Sequence, residues 1–141
     1  MLTLSSAHIV VDTSALLAWI EGEEGAERVR SVLESGGEVY IPWPVLMETF
    51  YITAREGGDA KAIHRYAMVK QLPVRFLEQM SESTLLTAAR LKANHSVSIA
   101  DALIAAYAVQ LDAVLLHKDP EYASLSSIVR LEALPYKDSS R

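Results

Sequence analysis

The sequence predicts an α/β fold with a central, mainly parallel sheet of four to five short strands flanked by helices on both faces. Three observations predict it. Short unbroken apolar runs, such as Ile9-Val10-Val11 and Ala113-Val114-Leu115-Leu116, recur along the chain. A strand buried on both faces reads as such a continuous run rather than as an alternation. These runs are separated by longer stretches with helical periodicity, the order that produces a parallel sheet. Gly36-Gly37 and Gly57-Gly58 punctuate the boundaries between them.

Taken in order, His8 to Val11 reads as the first strand and Ser14 to Ile20 as a short helix. Glu23 to Ser35 is amphipathic, with Ala26, Val29, Val32 and Leu33 on one face, and Gly36-Gly37 stop it. Glu38 to Ile41 is a short strand. Pro42-Trp43-Pro44 turns the chain, and Pro44 suits a first helical position. That helix runs to about Arg55, and Asp59 to Lys70 forms another. Val74 to Leu77 is a short strand. Ser81 to Ala93 is a helix with Leu85, Leu86, Ala89 and Lys92 along one side. Ser98 to Gln110 is apolar on nearly every face, so it reads as a buried helix. Ala113 to Leu116 is a buried strand and Ile128 to Leu131 an edge strand.

The 141 residues suit one domain, read here as 1–135 with a short polar tail at 136–141. Half the residues are hydrophobic and 22% charged, a globular rather than a disordered balance. The net charge of −5 leaves no overall electrostatic footprint for nucleic acid. A nucleic-acid substrate therefore calls for a local basic patch or bound cations. The chain has no cysteine, which excludes disulfides, zinc–thiolate sites and cysteine nucleophiles and fits a reducing cytosol. The N-terminus lacks the basic region of a signal peptide. The apolar stretch ALIAAYAVQLDAVLLH is split by Gln110 and Asp112, so no membrane span is expected. The expectation is a cytoplasmic protein.

Four acids stand where strands and helices meet: Asp12, Glu48, Asp101 and Asp119. Each has an ordinary explanation. Asp12 suits the N-cap of the Ser14 helix, worth about 1 kcal/mol. Glu48 lies on a helical stripe beside Tyr51 and Ile52 with no basic partner at salt-bridge spacing, which also suits a solvated edge. Ser98 and Asp101 form a Ser-x-x-Asp capping pattern. Asp119-Pro120 is a common turn. Sites in parallel sheets form at the carboxyl ends of strands, and Asp12 and Asp119 both follow strands. Two carboxylates 4 Å apart repel by roughly 1 kcal/mol in water and about 4 kcal/mol at an effective dielectric of 20. No cap requires such clustering, whereas a hard divalent cation, Mg²⁺ or Mn²⁺, offsets it. Such ions activate water and steady the charge of displacement at phosphorus.

Across nearly its whole length the sequence resembles the PIN-domain ribonucleases, in particular the VapC-type toxins of toxin–antitoxin pairs. The resemblance rests on VDTSALLAW, METFY and SIADALIAAYAVQLDAVLLHKD, in that order and spacing. It implies a PIN fold and carries Asp12, Glu48 and Asp101 over as metal-binding carboxylates, with Asp119 at a fourth, more variable acidic position. Thr13 and Ser14 match the hydroxyl residues after the first aspartate, which bond a carboxylate or a coordinated water. The family often has Thr, Ser or Asn two residues before the last aspartate. Here His117 stands there, either as a hydrogen-bond or phosphate contact or as a surface histidine at a strand end.

The resulting expectation is Mg²⁺- or Mn²⁺-dependent hydrolysis of RNA by an endoribonuclease that serves as a toxin. Arg55, Lys61 and Arg65 bracket Gly57-Gly58, and Lys118 adjoins Asp119; these are the candidates for RNA contact. The resemblance also implies an antitoxin partner held in a groove, for which the helices after Glu23 and Pro44 are suited, and a homodimer. Trp43, Phe50 and Tyr51 are expected in the core rather than at an interface. Two other readings stand beside this one: an inactive PIN-like binding module, and a phosphoryl-transfer signalling domain. The latter wants an acidic pair at the first strand, where this chain has Asp12-Thr13-Ser14.

Overall fold

The computed structural model describes residues 8–137, in which five strands form one parallel sheet. The order of elements is β1 (Ile9–Val11), α1 (Thr13–Ile20), α2 (Ala26–Leu33), β2 (Val39–Pro42), α3 (Trp43–Gly57), α4 (Asp59–Lys70) and β3 (Arg75–Leu77). Then come α5 (Glu82–Asn94), α6 (Ile99–Leu111), β4 (Val114–His117), a 3-10 turn (Pro120–Leu125) and β5 (Arg130–Ala133). Residues 1–7 and 138–141, which include most of the N-terminal stretch read for a signal peptide and much of the expected polar tail, lie outside the described residues.

The sheet order is β3-β2-β1-β4-β5. Every pairing is parallel, with Ile9 opposite both Val39 and Val114 and Val10 opposite Tyr40 and Leu115. Successive strand residues point to opposite faces. All of β2 and nearly all of β1 and β4 are nonetheless buried, so helices cover both sides. Val10, Val11, Ile41, Leu115 and Leu116 are fully enclosed and form the centre of the core with Leu16, Val29 and Ile104. Burying each such side chain contributes about 1.5–3 kcal/mol. From β1 the chain builds outward to β2 and β3, then returns to β4 on the other side of β1. The order therefore reverses between β1 and β4. A crevice opens at the carboxyl ends of strands at such a point.

Three elements differ from the sequence-based expectation. α2 starts at Ala26 rather than Glu23 because Gly25 turns the chain at φ 98°, where a Cβ would also lie 3.1 Å from Leu134. β5 starts at Arg130, since the turn from Pro120 draws the chain in first and leaves Ile128 exposed. α5 buries Thr84, Ala88 and Leu91, while Leu85, Leu86, Ala89 and Lys92 are exposed. Both faces have helical spacing. The docked one carries Ala88 and Leu91 into the core, and Gln110 of α6 accepts a hydrogen bond from Ser83 and donates one to Thr87 beside it. Trp43, Phe50 and Tyr51 are half-buried rather than core residues. They line an open groove of about 530 Å³ with Leu46, Met47 and Tyr66. Among the described residues no helix is long and apolar enough to cross a membrane.

Candidate metal centre

Asp12 leaves β1 at the switch point. Its N–H still donates to the Leu116 carbonyl of β4 at 3.0 Å, so the backbone is held as a last ladder rung. Its side chain caps α1: Oδ2 accepts from the Ser14 N–H at 2.9 Å and from the Ser14 hydroxyl. That hydroxyl accepts from the Lys118 N–H at 2.8 Å, so one serine ties the start of α1 to the end of β4. Capping and a role in the site therefore use different atoms. Asp12 Oδ1 faces inward and accepts from the Tyr122 hydroxyl at 2.6 Å.

The other acids arrive from different elements. Asp101 stands in the first turn of α6, where its N–H donates to the Ser98 hydroxyl at 3.1 Å. Its Oδ1 lies 3.1 Å from the same Tyr122 hydroxyl. Asp119 caps the 3-10 turn, accepting from the Glu121 N–H at 2.9 Å. Glu121 in turn accepts from the Ser98 N–H at 3.2 Å. Asp101, Asp119 and Glu121 each offer a carboxylate oxygen within 4.8 Å of the others. Glu48 of α3 accepts from the Thr13 hydroxyl at 2.6 Å and from the Tyr51 hydroxyl at 3.4 Å. Thr13 thus joins the β1 end of the site to α3.

The electrostatics are strained in one direction. Burial raises the Asp12 carboxyl, and its bonds from Ser14 and Tyr122 only partly counter that. Glu48 is raised by burial and further by Asp12 and Asp119, against the Thr13 bond. Asp101 is pushed up to about 8, by burial first and then by Asp12 and Asp119. Tyr122 is held far above its ordinary value by burial and by the two carboxylates it touches, so it stays a neutral donor. Hard oxygen donors that cannot all ionise without a counter-charge suit a hard divalent cation. Asp101, Asp119 and Glu121 supply the converging oxygens, with Asp12 and Glu48 beside them.

Of the supporting candidates, Thr13 and Ser14 lie within the site as hydroxyl donors. His117 does not sit at the surface: it is 1% exposed, which rules out contact with a phosphate in this conformation. Its Nδ1 accepts from the Asp119 N–H at 3.1 Å, which leaves the ring proton on Nε2, and burial lowers its pKa. The imidazole packs edge-on to Tyr122 with centroids 5.0 Å apart. The basic candidates divide. Arg65 pairs with Glu21 at 2.8 Å and Lys118 Nζ donates to the Glu24 carbonyl at 2.8 Å, so both are spent within the fold. Lys61 is exposed, as is Arg55, whose guanidinium lies 4.9 Å above the Tyr51 ring.

Sequence reasoning missed Tyr122 and Glu121. Both lie in Asp119-Pro120-Glu121-Tyr122, which reads as a turn. The available signal was the second acid two residues after Asp119 and the aromatic beside it, since a tight turn can aim both back at the strand end they follow. Next to the centre, a groove of about 780 Å³ is lined by Ser14, Leu17, Glu21, Glu23, Ile52 and Asp119, among others.

The PIN domain family model matches residues 9–127. Among curated proteins, none matches the chain. Several solved structures do. VapBC2 from Rickettsia felis, bound to a DNA fragment from its promoter, is 15% identical, with a TM-score of 0.70 over 90% of this chain and 98% of that one. VapC20 from Mycobacterium tuberculosis, described as a toxin that cleaves the sarcin–ricin loop, is 21% identical, with a TM-score of 0.69 over 90% and 99%. VapBC-1 from nontypeable Haemophilus influenzae is 18% identical, with a TM-score of 0.68 over 89% and 96%. At these identities the likeness is one of fold.

Proposed function

The chain belongs to the PIN-domain family, and on that premise we propose that it is a metal-dependent endoribonuclease, the toxin of a toxin–antitoxin pair. The observation that carries this reading is the convergence of Asp101, Asp119 and Glu121 at the switch point, with Asp12 and Glu48 alongside. A structural role does not account for it, because Asp101 is buried among like charges and destabilises the metal-free fold.

In this reading Asp12, Glu48, Asp101 and Asp119 are the catalytic and metal-binding set, to which we add Glu121. Mg²⁺ or Mn²⁺ would be held there, supplying a Lewis acid that activates water and neutralises the charge developing at phosphorus. The chain's own groups do the rest. Ser14 and Tyr122 fix the Asp12 carboxylate, and Thr13 fixes Glu48. Their rotamers are set before substrate arrives, which lowers the cost of ordering the site. No nucleophilic side chain is needed. Arg55 and Lys61, the exposed members of the basic set, are the candidates to meet RNA phosphates.

The groove beside the centre suits an antitoxin segment: Leu17 and Ile52 offer apolar contact, and Glu56 and Asp119 offer acidic groups for a basic side chain, while Glu21 is paired with Arg65 and Glu23 with Lys118 and Lys137. The solved structures of VapBC assemblies lend this support. We also assign a cytoplasmic site of action and a homodimer, whose interface the half-buried aromatics Trp43 and Phe50 would suit. Residues 1–135 act as one unit in this reading.

The test is cleavage of purified RNA by the partner-free protein with Mg²⁺ or Mn²⁺, with EDTA, and with Asp101→Asn; a single-stranded DNA arm separates ribonuclease from deoxyribonuclease. Discrete RNA fragments that require metal and vanish in the variant are expected. Equal cleavage by Asp101→Asn would overturn the proposal.

A further inference from the structure

We propose that Tyr122 is a positioning residue for the cation: its hydroxyl joins Asp12 to Asp101 and sets their separation before a metal binds. The proposal rests on reading the site as a cation centre. The phenol is completely buried and its oxygen is 2.6 Å from Asp12 Oδ1 and 3.1 Å from Asp101 Oδ1. These two acids come from positions 12 and 101, and no direct bond links them. Among the described residues the hydroxyl is the one group within hydrogen-bond distance of both, so the distance between β1 and the start of α6 is expressed at the site through Tyr122.

The ring has little freedom to let the hydroxyl drift. It lies edge-on to His117, and that imidazole is held by the Asp119 N–H at 3.1 Å. The backbone of the 3-10 turn is pinned as well, since the Tyr122 N–H donates to the Asp119 carbonyl at 3.2 Å. Asp119, His117 and Tyr122 therefore form one packed unit, in which the residue offering a third carboxylate also orients the phenol between the first two.

Bridging leaves coordination capacity intact. A carboxylate oxygen has two acceptor directions; the single phenol proton takes one on Asp12 Oδ1, and Asp101 Oδ1 lies within hydrogen-bond distance of the phenol oxygen. On Asp12 the other oxygen is already engaged by Ser14, so Tyr122 completes the fixing of that carboxylate rather than duplicating it. Groups that orient ligands in this way typically change metal affinity by about 10- to 100-fold when lost. A phenylalanine at this position keeps the packed ring and removes only the oxygen.

The experiment is a calorimetric Mn²⁺ titration of the full chain, of Tyr122→Phe, and of Tyr40→Phe. The last removes a hydroxyl that bonds Glu38 outside the site. Wild type and Tyr40→Phe should bind alike, and Tyr122→Phe about 10- to 100-fold more weakly. A purely structural role for the ring would leave Mn²⁺ affinity unchanged, so equal or tighter binding by Tyr122→Phe would overturn the proposal while leaving the cation centre standing. Absence of Mn²⁺ binding by wild type would instead overturn the cation centre, and this proposal with it. Should Tyr122→Phe fail to fold, Mg²⁺ titration of ¹³C-tyrosine-labelled wild type replaces it. The Tyr122 Cζ resonance should then shift along the Mg²⁺ binding curve, and an unmoved resonance would count against the bridge.

Discussion

Replacing Asp101 by asparagine should stabilise the metal-free protein, and increasingly so as pH rises. Asp101 is 7% exposed, and its carboxyl stands at about 8 against 3.8 for the free side chain. The folded protein thus holds a proton there that the unfolded chain releases. Stability from this group is complete below about pH 4 and is lost progressively as pH rises through about 8. At pH 7 the gap to 3.8 is about three pH units, worth about 4 kcal/mol at 1.36 kcal/mol per unit. Asparagine has no such proton to lose. Its amide can donate to the Tyr122 oxygen or to the neighbouring carboxylates of Asp119 or Glu121. With EDTA present, the Tm of Asp101→Asn should match wild type near pH 3.5 and exceed it by on the order of 10 °C at pH 7.5. Circular dichroism melts across that range measure both. Parallel Tm–pH curves for the two proteins would refute the reasoning, because they would mean that Asp101 does not titrate against burial and its acidic neighbours.

Other outcomes follow from the same geometry. Mn²⁺ at 100 times its Kd should add about 2.7 kcal/mol to wild-type stability and nothing to Asp101→Asn, read as Tm shifts by scanning calorimetry. Leu91→Ala should cost about 2–5 kcal/mol in urea unfolding because Leu91 is buried under α6, whereas Leu85→Lys should stay within about 0.5 kcal/mol because Leu85 is 52% exposed. Arg55→Ala should raise the KM for RNA without moving the denaturation midpoint, since its guanidinium is exposed over Tyr51. Arg65→Ala should instead lower the midpoint, because the Arg65 side chain is largely buried where it reaches Thr53 and exposed Glu21.

Much of the fold was legible because its signals are local. The apolar runs at Ile9–Val11 and Ala113–Leu116 read as strands covered on both sides, the structure forms strands at Ile9–Val11 and Val114–His117, and α4 fell within the bounds its composition suggested. Asp12 and Asp119 were readable as residues at strand ends, so their shared crevice could be anticipated. The face of α5 was not legible. Two helical stripes compete there, and the choice depends on how Ala88 and Leu91 pack into a core built from other elements. Trp43, Phe50 and Tyr51 look like core by composition, yet among the described residues nothing is packed over the groove they line.

The site divides the same way. By itself the sequence pointed to Asp12, Glu48, Asp101 and Asp119, to the hydroxyls at Thr13 and Ser14, and to the alternation that brings strand ends to one edge. Local periodicity and composition carry that information. Only the tertiary structure decided that Tyr122 bridges Asp12 and Asp101, that Glu121 joins Asp101 and Asp119, and that His117 turns inward to hold the phenol. Those contacts unite residues 21 to 110 positions apart, or depend on the path of one 3-10 turn. Their existence is fixed by where β1, β4 and α6 pack, and no spacing along the chain encodes it.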